Sequence, residues 1–248
     1  MSVTKRYLET WDGFWGEISG GPGEVFWDAE PTLTVGRHLA LYEPHIDDHR
    51  LPLVDLGCGN GTQTCFLADR FPRVLGVDLA PAAIELARAR KRPAPGRVPA
   101  AEPEFRRLDA VDPEQTGALR RELGDCNVYM REVLHQADPK DRQPLVDTIA
   151  ALVGERGRAF VVELAESAGV RLGQLAEAPA GPPPKLLPVL RHGVTPTPVP
   201  DADMAGFFAA AGLPILAEGD IPLTTAEYEP DGSRIELPSK WLVVGRNG

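Results

Sequence analysis

From residue 51 onward, short apolar segments alternate with segments of helical character, and this alternation constrains the fold more than any other feature of the sequence. Crossover helices between consecutive strands force those strands to run parallel, with right-handed connections. We therefore predict an α/β fold with a Rossmann-like, doubly wound, mostly parallel sheet and helices on both faces. The predicted strands cover residues 53–56, 73–77, 105–108, 127–130, 158–163 and 240–244.

Helix signals occupy the connections between the first five strands. Asp112, Pro113 and Gln115 supply an N-cap, a first helical residue and a capping-box partner for the helix after the third strand. Further helices are predicted over residues 61–71 and 81–91. After the fourth strand, apolar residues follow the spacing of one buried helix face, namely Leu145, Ile149, Leu152 and Val153.

The distribution of proline separates the predicted sheet from its surroundings. The chain has 25 prolines in 248 residues, and none lies within the six strands, as a central sheet requires. Eight of them crowd into residues 179–200. We predict a single domain over 1–248. Its parts are an aromatic N-terminal segment (1–50), an alternating core (51–165), a proline-rich insertion (166–200) and a C-terminal helix with strands (201–248).

Composition and charge narrow the range of partners. The 26 basic and 36 acidic residues give a formal net charge of −10, which disfavours binding to a nucleic-acid backbone. No apolar run reaches the ~18 residues of a membrane span, and the N-terminus lacks the apolar core of a secretory signal. The three cysteines lack paired spacing and indicate reduced thiols in a cytoplasmic protein. No metal site is predicted, because the polar run from His45 to His49 precedes the first strand.

The first predicted strand runs directly into a glycine-rich turn over residues 57–61. Glycines allow a tight turn and a close approach of the backbone to a ligand. The G-x-G-x-G spacing departs from the G-x-G-x-x-G fingerprint of the dinucleotide enzymes. Asp55 before the turn suits a ligand ammonium, Asp78 after the second strand suits a ribose, and Asp109 after the third suits an adenine amino group. Taken singly, each is equally well explained as a strand-capping aspartate.

Three segments, VDLGCGNGT, GVDLAP and RRLDAVDP, resemble in this order the cofactor motifs of class I S-adenosylmethionine-dependent methyltransferases. The resemblance extends through about residues 51–165. It implies S-adenosylmethionine as the cofactor and S-adenosylhomocysteine as the product. The first motif would surround the methionine moiety, the second would hold the ribose and the adenine face, and the third the adenine edge. The cofactor-binding residues implied in this way are Asp55, Gly57, Gly59, Gly61, Thr62, Asp78, Leu79, Asp109, Ala110 and Arg131.

The segment from Arg131 to His135 resembles the R-x-x-L-H segment of small-molecule O-methyltransferases. In the plant-type enzymes this histidine is the general base, so the resemblance implies that role for His135. A histidine with an ordinary pKa of about 6.5 suits removal of a hydroxyl proton near neutral pH. A structural histidine that bonds a nearby carbonyl is the alternative. The long N-terminal dimerisation domain of the plant-type enzymes is not matched, which leaves monomer and homodimer equally open.

Two segments outside the alternation are candidates for binding the acceptor. Six aromatic residues lie within the first 27, and those at positions 7, 11, 14 and 15 follow helical spacing. They are explained either by packing against the sheet or by an aromatic lid that shapes an apolar pocket. The candidate acceptor-binding residues are Trp11, Trp15 and Trp27, together with Arg191 from the proline-rich stretch.

These features lead to the hypothesis of an enzyme that transfers a methyl group from S-adenosylmethionine to a small molecule, with a hydroxyl oxygen as the favoured target. The alanine- and proline-rich composition, typical of a high-GC genome, favours a role in secondary-metabolite biosynthesis. Methylation of nitrogen, sulfur or carbon is an alternative. Two hypotheses from other classes are a non-catalytic S-adenosylmethionine-binding protein and an NAD(P)-dependent oxidoreductase, the latter disfavoured by the spacing of the glycine turn and by Asp55.

Overall fold

The computed structural model describes residues 3–21, 23–90, 102–194 and 196–246. Seven strands form one sheet in the order β3-β2-β1-β4-β5-β9-β6, and β7 pairs with β8 in a separate antiparallel hairpin. The predicted mostly parallel, doubly wound fold is confirmed. The strands are β1 (Leu53–Leu56), β2 (Val74–Asp78), β3 (Glu104–Arg107), β4 (Asn127–Arg131), β5 (Ala159–Leu164), β6 (Ile215–Asp220), β7 (Leu223–Tyr228), β8 (Arg234–Leu237) and β9 (Ser239–Val244).

Helices cover both faces of the sheet, and each of the six predicted strands agrees with its observed bounds to within one residue at either end. The predicted helix over 61–71 ends earlier, at Leu67, and Lys91 at the end of the predicted helix 81–91 lies outside the described residues. The helices are α1 (Val3–Gly16), α2 (Val35–Tyr42), α3 (Thr62–Leu67), α4 (Pro81–Ala89), α5 (Pro113–Leu123), α6 (Pro139–Val153), α7 (Ala168–Ala176), α8 (Leu186–Arg191) and α9 (Asp201–Ala210).

The register of the central strands determines where a ligand can bind. Leu56 at the end of β1 pairs with Val77 in β2 and with Met130 in β4, so the carboxyl ends of these three parallel strands form one level edge. The chain reverses its strand order between β1 and β4. In open α/β sheets, ligands bind at such a switch point, outside the carboxyl ends of the strands.

The helix signals found in the sequence act as expected. The Asp112 carboxylate accepts hydrogen bonds from the backbone N–H groups of Glu114 (2.9 Å) and Gln115 (3.2 Å) at the start of α5. The predicted apolar face of α6 is buried against the sheet, with exposures of 3% or less at Leu145, Ile149, Leu152 and Val153.

The N-terminal helix α1 is fastened to two other elements. Asp12 accepts a hydrogen bond of 2.8 Å from the backbone N–H of Ala82, in the first turn of α4. The Tyr7 hydroxyl lies 3.4 Å from an Asp141 carboxylate oxygen and accepts a hydrogen bond from the backbone N–H of Asp138, at the start of α6. Since α4 follows β2 and α6 follows β4, these contacts hold α1 beside the carboxyl edge of the sheet.

The elements that were not predicted include α2, α7, α8, β6 and the β7–β8 hairpin. The proline-rich insertion over residues 166–200 contains two of these helices, and Pro188 lies in the first turn of α8, where proline is tolerated. Ahead of it, Ala168, Leu172 and Leu175 have the spacing of one helix face in α7. That periodicity was available in the sequence and indicates the helix despite two intervening glycines.

Within the described ranges, none of the helices is both long enough and apolar enough to cross a lipid bilayer.

The Tyr42 hydroxyl links α2 to the centre of the sheet and provides a test of the fold. Fully buried, it lies 2.5 Å from the Arg158 carbonyl oxygen and 3.1 Å from that of Val128. We expect Tyr42→Phe to lower the free energy of unfolding by about 1–2 kcal/mol, because a buried acceptor loses its donor. Urea denaturation measures this. Tyr228→Phe is the control. That side chain is 54% exposed, so removing its hydroxyl should change the free energy of unfolding by less than ~0.5 kcal/mol.

Candidate active site

A cavity of about 450 Å³ opens at the carboxyl edge formed by β1, β2 and β4, within the size range of small-molecule sites. It lies where the sheet topology predicts a ligand. The structure brings twelve of the fifteen predicted site residues into its wall: Asp55, Gly57, Gly59, Asp78, Leu79, Asp109, Ala110, Arg131, His135, Trp11, Trp15 and Trp27.

The glycine turn requires glycine at three positions, for reasons that differ. All three have positive φ, of 78° at Gly57, 52° at Gly59 and 76° at Gly61. A Cβ on Gly57 would lie 2.4 Å from Val133 Cγ2, and one on Gly59 would lie 2.8 Å from the Trp15 ring. Gly61 does not line the cavity, because it packs under Phe105, which a Cβ would approach to 2.8 Å. Glycine is therefore required at these positions by positive φ and by the side chains that pack on the turn.

Thr62 also lies behind the cavity wall, where it holds a residue that the sequence analysis missed. Its hydroxyl donates a hydrogen bond of 2.8 Å to Asp28. The side-chain amides of Asn60 (3.0 Å) and Gln63 (3.4 Å) donate to the same carboxylate, which lines the cavity and is 4% exposed. Asp28 thus ties the N-terminal loop to the glycine turn. No motif identifies it in the sequence, since its partners lie more than 30 residues away.

The acid after β2 is held in place by the turn itself. Asp78 accepts hydrogen bonds of 2.9 Å from the backbone N–H groups of Gly59 and Ala80. Burial raises its pKa above the ordinary value, although these hydrogen bonds oppose the shift. After β3, Asp109 accepts a hydrogen bond of 3.1 Å from the N–H of Val111. Both carboxylates lie in the cavity wall.

Asp55 is the most deeply buried of the predicted cofactor acids. It is 2% exposed, and the hydroxyl of Thr64 donates to it over 2.5 Å. Burial raises its pKa to about 6, the Thr64 hydrogen bond and Arg131 acting in the opposite direction. A cationic group placed in the cavity stabilises the charged form of such a carboxyl.

An aromatic cluster from α1 and the following loop forms another part of the wall. The Phe14 and Trp27 rings stack with centroids 5.3 Å apart, and Trp11 meets Trp27 edge-on at 5.9 Å. Phe14 is 1% exposed and belongs to the core, whereas Trp11, Trp15 and Trp27 reach the cavity. The packing interpretation thus holds for Phe14, and Trp15, at 4% exposed, both packs in the core and lines the cavity.

His135 and Glu163 form a buried pair at the end of the cavity away from β2. His135 Nδ1 lies 2.7 Å from Glu163 Oε2, and the histidine is 2% exposed. The same carboxylate accepts hydrogen bonds from the backbone N–H groups of Val133 (2.9 Å), Leu134 (2.8 Å) and His135 (3.3 Å). Burial lowers the pKa of His135, but the hydrogen bond and charge of Glu163 outweigh it and raise the pKa above its ordinary value.

Glu163 was not among the predicted site residues, although an acid at the end of an apolar strand is the signal that could have revealed it. It is the only charged residue in the buried segment AFVVEL of β5. A fully buried carboxylate needs hydrogen-bond donors or a positive partner, and the register of a parallel sheet places the end of β5 beside the end of β4.

Arg191 is a correction to the predicted set. It does not line the cavity and is 62% exposed, with its guanidinium 3.2 Å from Glu17. The reason is its position at the last residue of α8, whose buried face is formed by Leu186 and Val189 instead. Among the described residues, no cluster of three or more histidine, cysteine and acidic side chains is arranged to hold a metal ion.

Comparison with known proteins agrees with this geometry. A sequence model described as a methyltransferase domain matches residues 53–157. A SAM-dependent methyltransferase from Anabaena variabilis is 30% identical, with a TM-score of 0.85 over 100% of this chain and 96% of that one. Magnesium protoporphyrin IX methyltransferase from Synechocystis, with bound SAH, is 16% identical (TM-score 0.53; 86% and 81% covered). A protein of echinomycin biosynthesis is 18% identical (TM-score 0.63; 97% and 93% covered). Among curated proteins, none matches.

The buried pair predicts a titration that Glu163 controls. Since Glu163 raises the pKa of His135 while burial lowers it, we expect an NMR titration of the ring to give a pKa above the ordinary value of ~6.5 in the wild type and a lower pKa in Glu163→Gln. The folded protein then binds the proton more tightly than the unfolded chain. The His135–Glu163 pair therefore stabilises the folded state fully at pH values below the unfolded-state pKa of ~6.5. This contribution is lost as the pH rises through the folded-state pKa.

His135→Gln identifies the resonance in these spectra. An unchanged histidine pKa in Glu163→Gln would contradict the ion pair.

Proposed function

This chain belongs to the S-adenosylmethionine-dependent methyltransferases, and we propose that it methylates a hydroxyl oxygen of a small-molecule acceptor. The confirmed activity and cofactor are those of the family. The identity of the target atom is our proposal, and the observation that carries it is the orientation of His135 at the acceptor end of the cavity.

The residues at the β1 and β2 ends fit the cofactor. The turn lines the cavity at Gly57 and Gly59, and protein packing requires glycine there, because a Cβ would clash with Val133 or Trp15. Asp55, with the turn, would hold the amino-acid end, and Asp78 the ribose. When bound, S-adenosylmethionine supplies an electrophilic methyl group on a sulfonium and leaves as S-adenosylhomocysteine. Leu79, Asp109, Ala110 and Arg131 complete the predicted cofactor set in the wall.

His135 is oriented as a general base requires. In the neutral ring, Nδ1–H donates to Glu163, which leaves the Nε2 lone pair to accept a hydroxyl proton. Glu163 is the positioning residue, since it fixes the tautomer and stabilises the protonated ring. A base of this kind contributes about 10²–10⁴-fold to the rate. Holding the hydroxyl in line with the methyl group supplies the remainder through proximity.

The wall beyond His135 is apolar and suits a small organic acceptor. It is formed by Leu164 at the end of β5, by one face each of α7 and α8, and by Leu223 and Leu237 of the hairpin. We propose that residues 1–50 and 166–200 cover the acceptor, as parts of a single domain. The proposal also includes a cytoplasmic location, which the free thiols of Cys58, Cys65 and Cys126 support. A role in secondary metabolism is supported by composition alone.

Asp78→Ala tests the cofactor site. We expect it to weaken binding of S-adenosylhomocysteine by at least ~10-fold in calorimetry, equivalent to about 1.4 kcal/mol, because a buried acceptor of ribose hydroxyls is lost. Asp220→Ala is the matched control, since Asp220 is 78% exposed and pairs with Lys240. Equal affinity of the wild type and Asp78→Ala would remove Asp78 from the site.

His135→Ala tests the base. We expect turnover on a hydroxyl acceptor, followed as S-adenosylhomocysteine formation, to fall by ~10²–10⁴-fold while cofactor binding is retained. His49→Ala, at an exposed position before β1, should leave turnover unchanged. Near-wild-type turnover by His135→Ala would refute the oxygen-base mechanism. Mass spectrometry of the product then shows whether nitrogen, sulfur or carbon carries the methyl group.

A further inference from the structure

Glu132, the residue immediately after β4, has a backbone conformation that its side chain disfavours. Its φ is 64°, and among the described residues it is the only non-glycine with a positive φ. Its backbone N–H still donates to the Val162 carbonyl of β5 over 2.9 Å, so the sheet fixes the residue up to the point where the chain turns. A left-handed conformation at a non-glycine residue is strained and is found preferentially at functional sites.

One carboxylate oxygen of Glu132 is also left without a hydrogen-bond partner. The side chain lies in the cavity wall, and its Oε1 is buried with no hydrogen bond. Burial raises the pKa of Glu132 to about 7, opposed by the nearby His135 and Arg131. The contrast with Glu163 is informative, because that carboxylate has four donors within 3.3 Å. A buried polar atom that lacks a partner in the protein is expected to find one in water or a ligand.

The charge of the whole wall favours a positive ligand. Among the lining residues that the structure describes, Arg131 is the only arginine or lysine. Its guanidinium donates 2.9 Å to the Trp27 carbonyl, which holds it at the N-terminal loop. The same wall contains six carboxyl groups, those of Asp28, Asp55, Asp78, Asp109, Glu132 and Asp141.

Most of these acids already have a role. Asp28 is occupied by three donors of the glycine-turn region, and Asp55, Asp78 and Asp109 belong to the predicted cofactor set. Asp141 has the Tyr7 hydroxyl as a neighbour. Glu132 is left, a lining residue three positions before the proposed base and close to both His135 and Arg131.

We propose that Glu132 binds a protonated amine on the acceptor and thereby positions the acceptor hydroxyl beside His135. The inference rests on the proposed function, whose acceptor class it specifies: a small hydroxylated molecule that carries a basic nitrogen. An ammonium supplies the missing donor and the missing positive charge together. The rings of Trp11 and Trp27 add a favourable surface for a cation. An anionic acceptor meets the repulsion of the surrounding carboxylates instead.

Three phenols of matched shape test the proposal: tyramine, 4-ethylphenol and 3-(4-hydroxyphenyl)propanoate. They share the ring and the two-carbon chain and differ in terminal charge. Each is titrated by calorimetry into the full-length protein saturated with S-adenosylhomocysteine. We expect tyramine to bind at least ~10-fold more tightly than 4-ethylphenol, with the propanoate the weakest. Equal affinities, a preference for the propanoate, or no binding of tyramine would overturn the proposal.

Two variants assign the preference to Glu132. In Glu132→Gln, the tyramine preference should fall below ~2-fold, while the affinity for S-adenosylhomocysteine stays within ~2-fold of the wild type. Glu132→Gly removes the carboxylate and the strained φ together, so its melting temperature without ligand should equal or exceed that of the wild type. A preference that survives in Glu132→Gln, or a lower melting temperature of Glu132→Gly, would show a structural role and refute the inference.

The outcomes separate this inference from the proposed function. Binding to the S-adenosylhomocysteine complex involves no turnover, so the amine preference stands or fails independently of the His135→Ala result. If His135→Ala retains turnover while tyramine remains preferred, oxygen methylation fails and the amine site stands. If His135 proves to be the base while the three phenols bind equally, oxygen methylation stands and the amine site fails.

Discussion

The buried carboxylate of Glu163 organises the end of the cavity where we propose that the acceptor binds. By accepting the backbone N–H groups of residues 133–135, it forces the chain to turn as soon as β4 ends. The same turn sets Val133 against the glycine turn, where a Cβ on Gly57 would meet it at 2.4 Å. It also directs the ring of His135 into the cavity wall and gives Glu132 its left-handed conformation. One interaction therefore positions the proposed base, the neighbouring acid and the residue that packs on the glycine turn.

The N-terminal segment depends on a second set of polar contacts. Asp12 caps the start of α4, and Asp28 receives donors from the region of the glycine turn. These bonds join residues that are distant in the sequence but adjacent at the carboxyl edge. Because α1 is tied to α4 and to the start of α6, the tryptophans it carries are held over the cavity. The wall is thus built by elements on both sides of the switch point, while the sheet supplies the level edge beneath.

The sequence was most informative where local rules act. Alternating apolar runs located the six predicted strands to within a residue, and the capping pattern at Asp112 located the start of α5. Most of the predicted cofactor residues lie in the cavity wall because their spacing follows the strand ends. Asp28 and Glu163 were not predicted, because their roles come from partners about 30 residues away and from strand register. Arg191 was misplaced for a related reason: the buried face of α8 could be assigned only once the helix itself was known.

Electrostatics connects the two ends of the cavity. Burial raises the pKa of Asp55 to about 6 and that of Glu132 to about 7. Both carboxyl groups then bind protons more tightly in the folded protein than in the unfolded chain. Their burial therefore begins to oppose folding as the pH rises above the unfolded-state pKa of about 4. The opposition increases with pH and is complete above the folded-state pKa values. A cation in the cavity reverses this effect, because it stabilises the ionised carboxylates. The sulfonium cofactor is such a cation, so in the proposed site its binding offsets the cost that burial of Asp55 imposes on the empty fold.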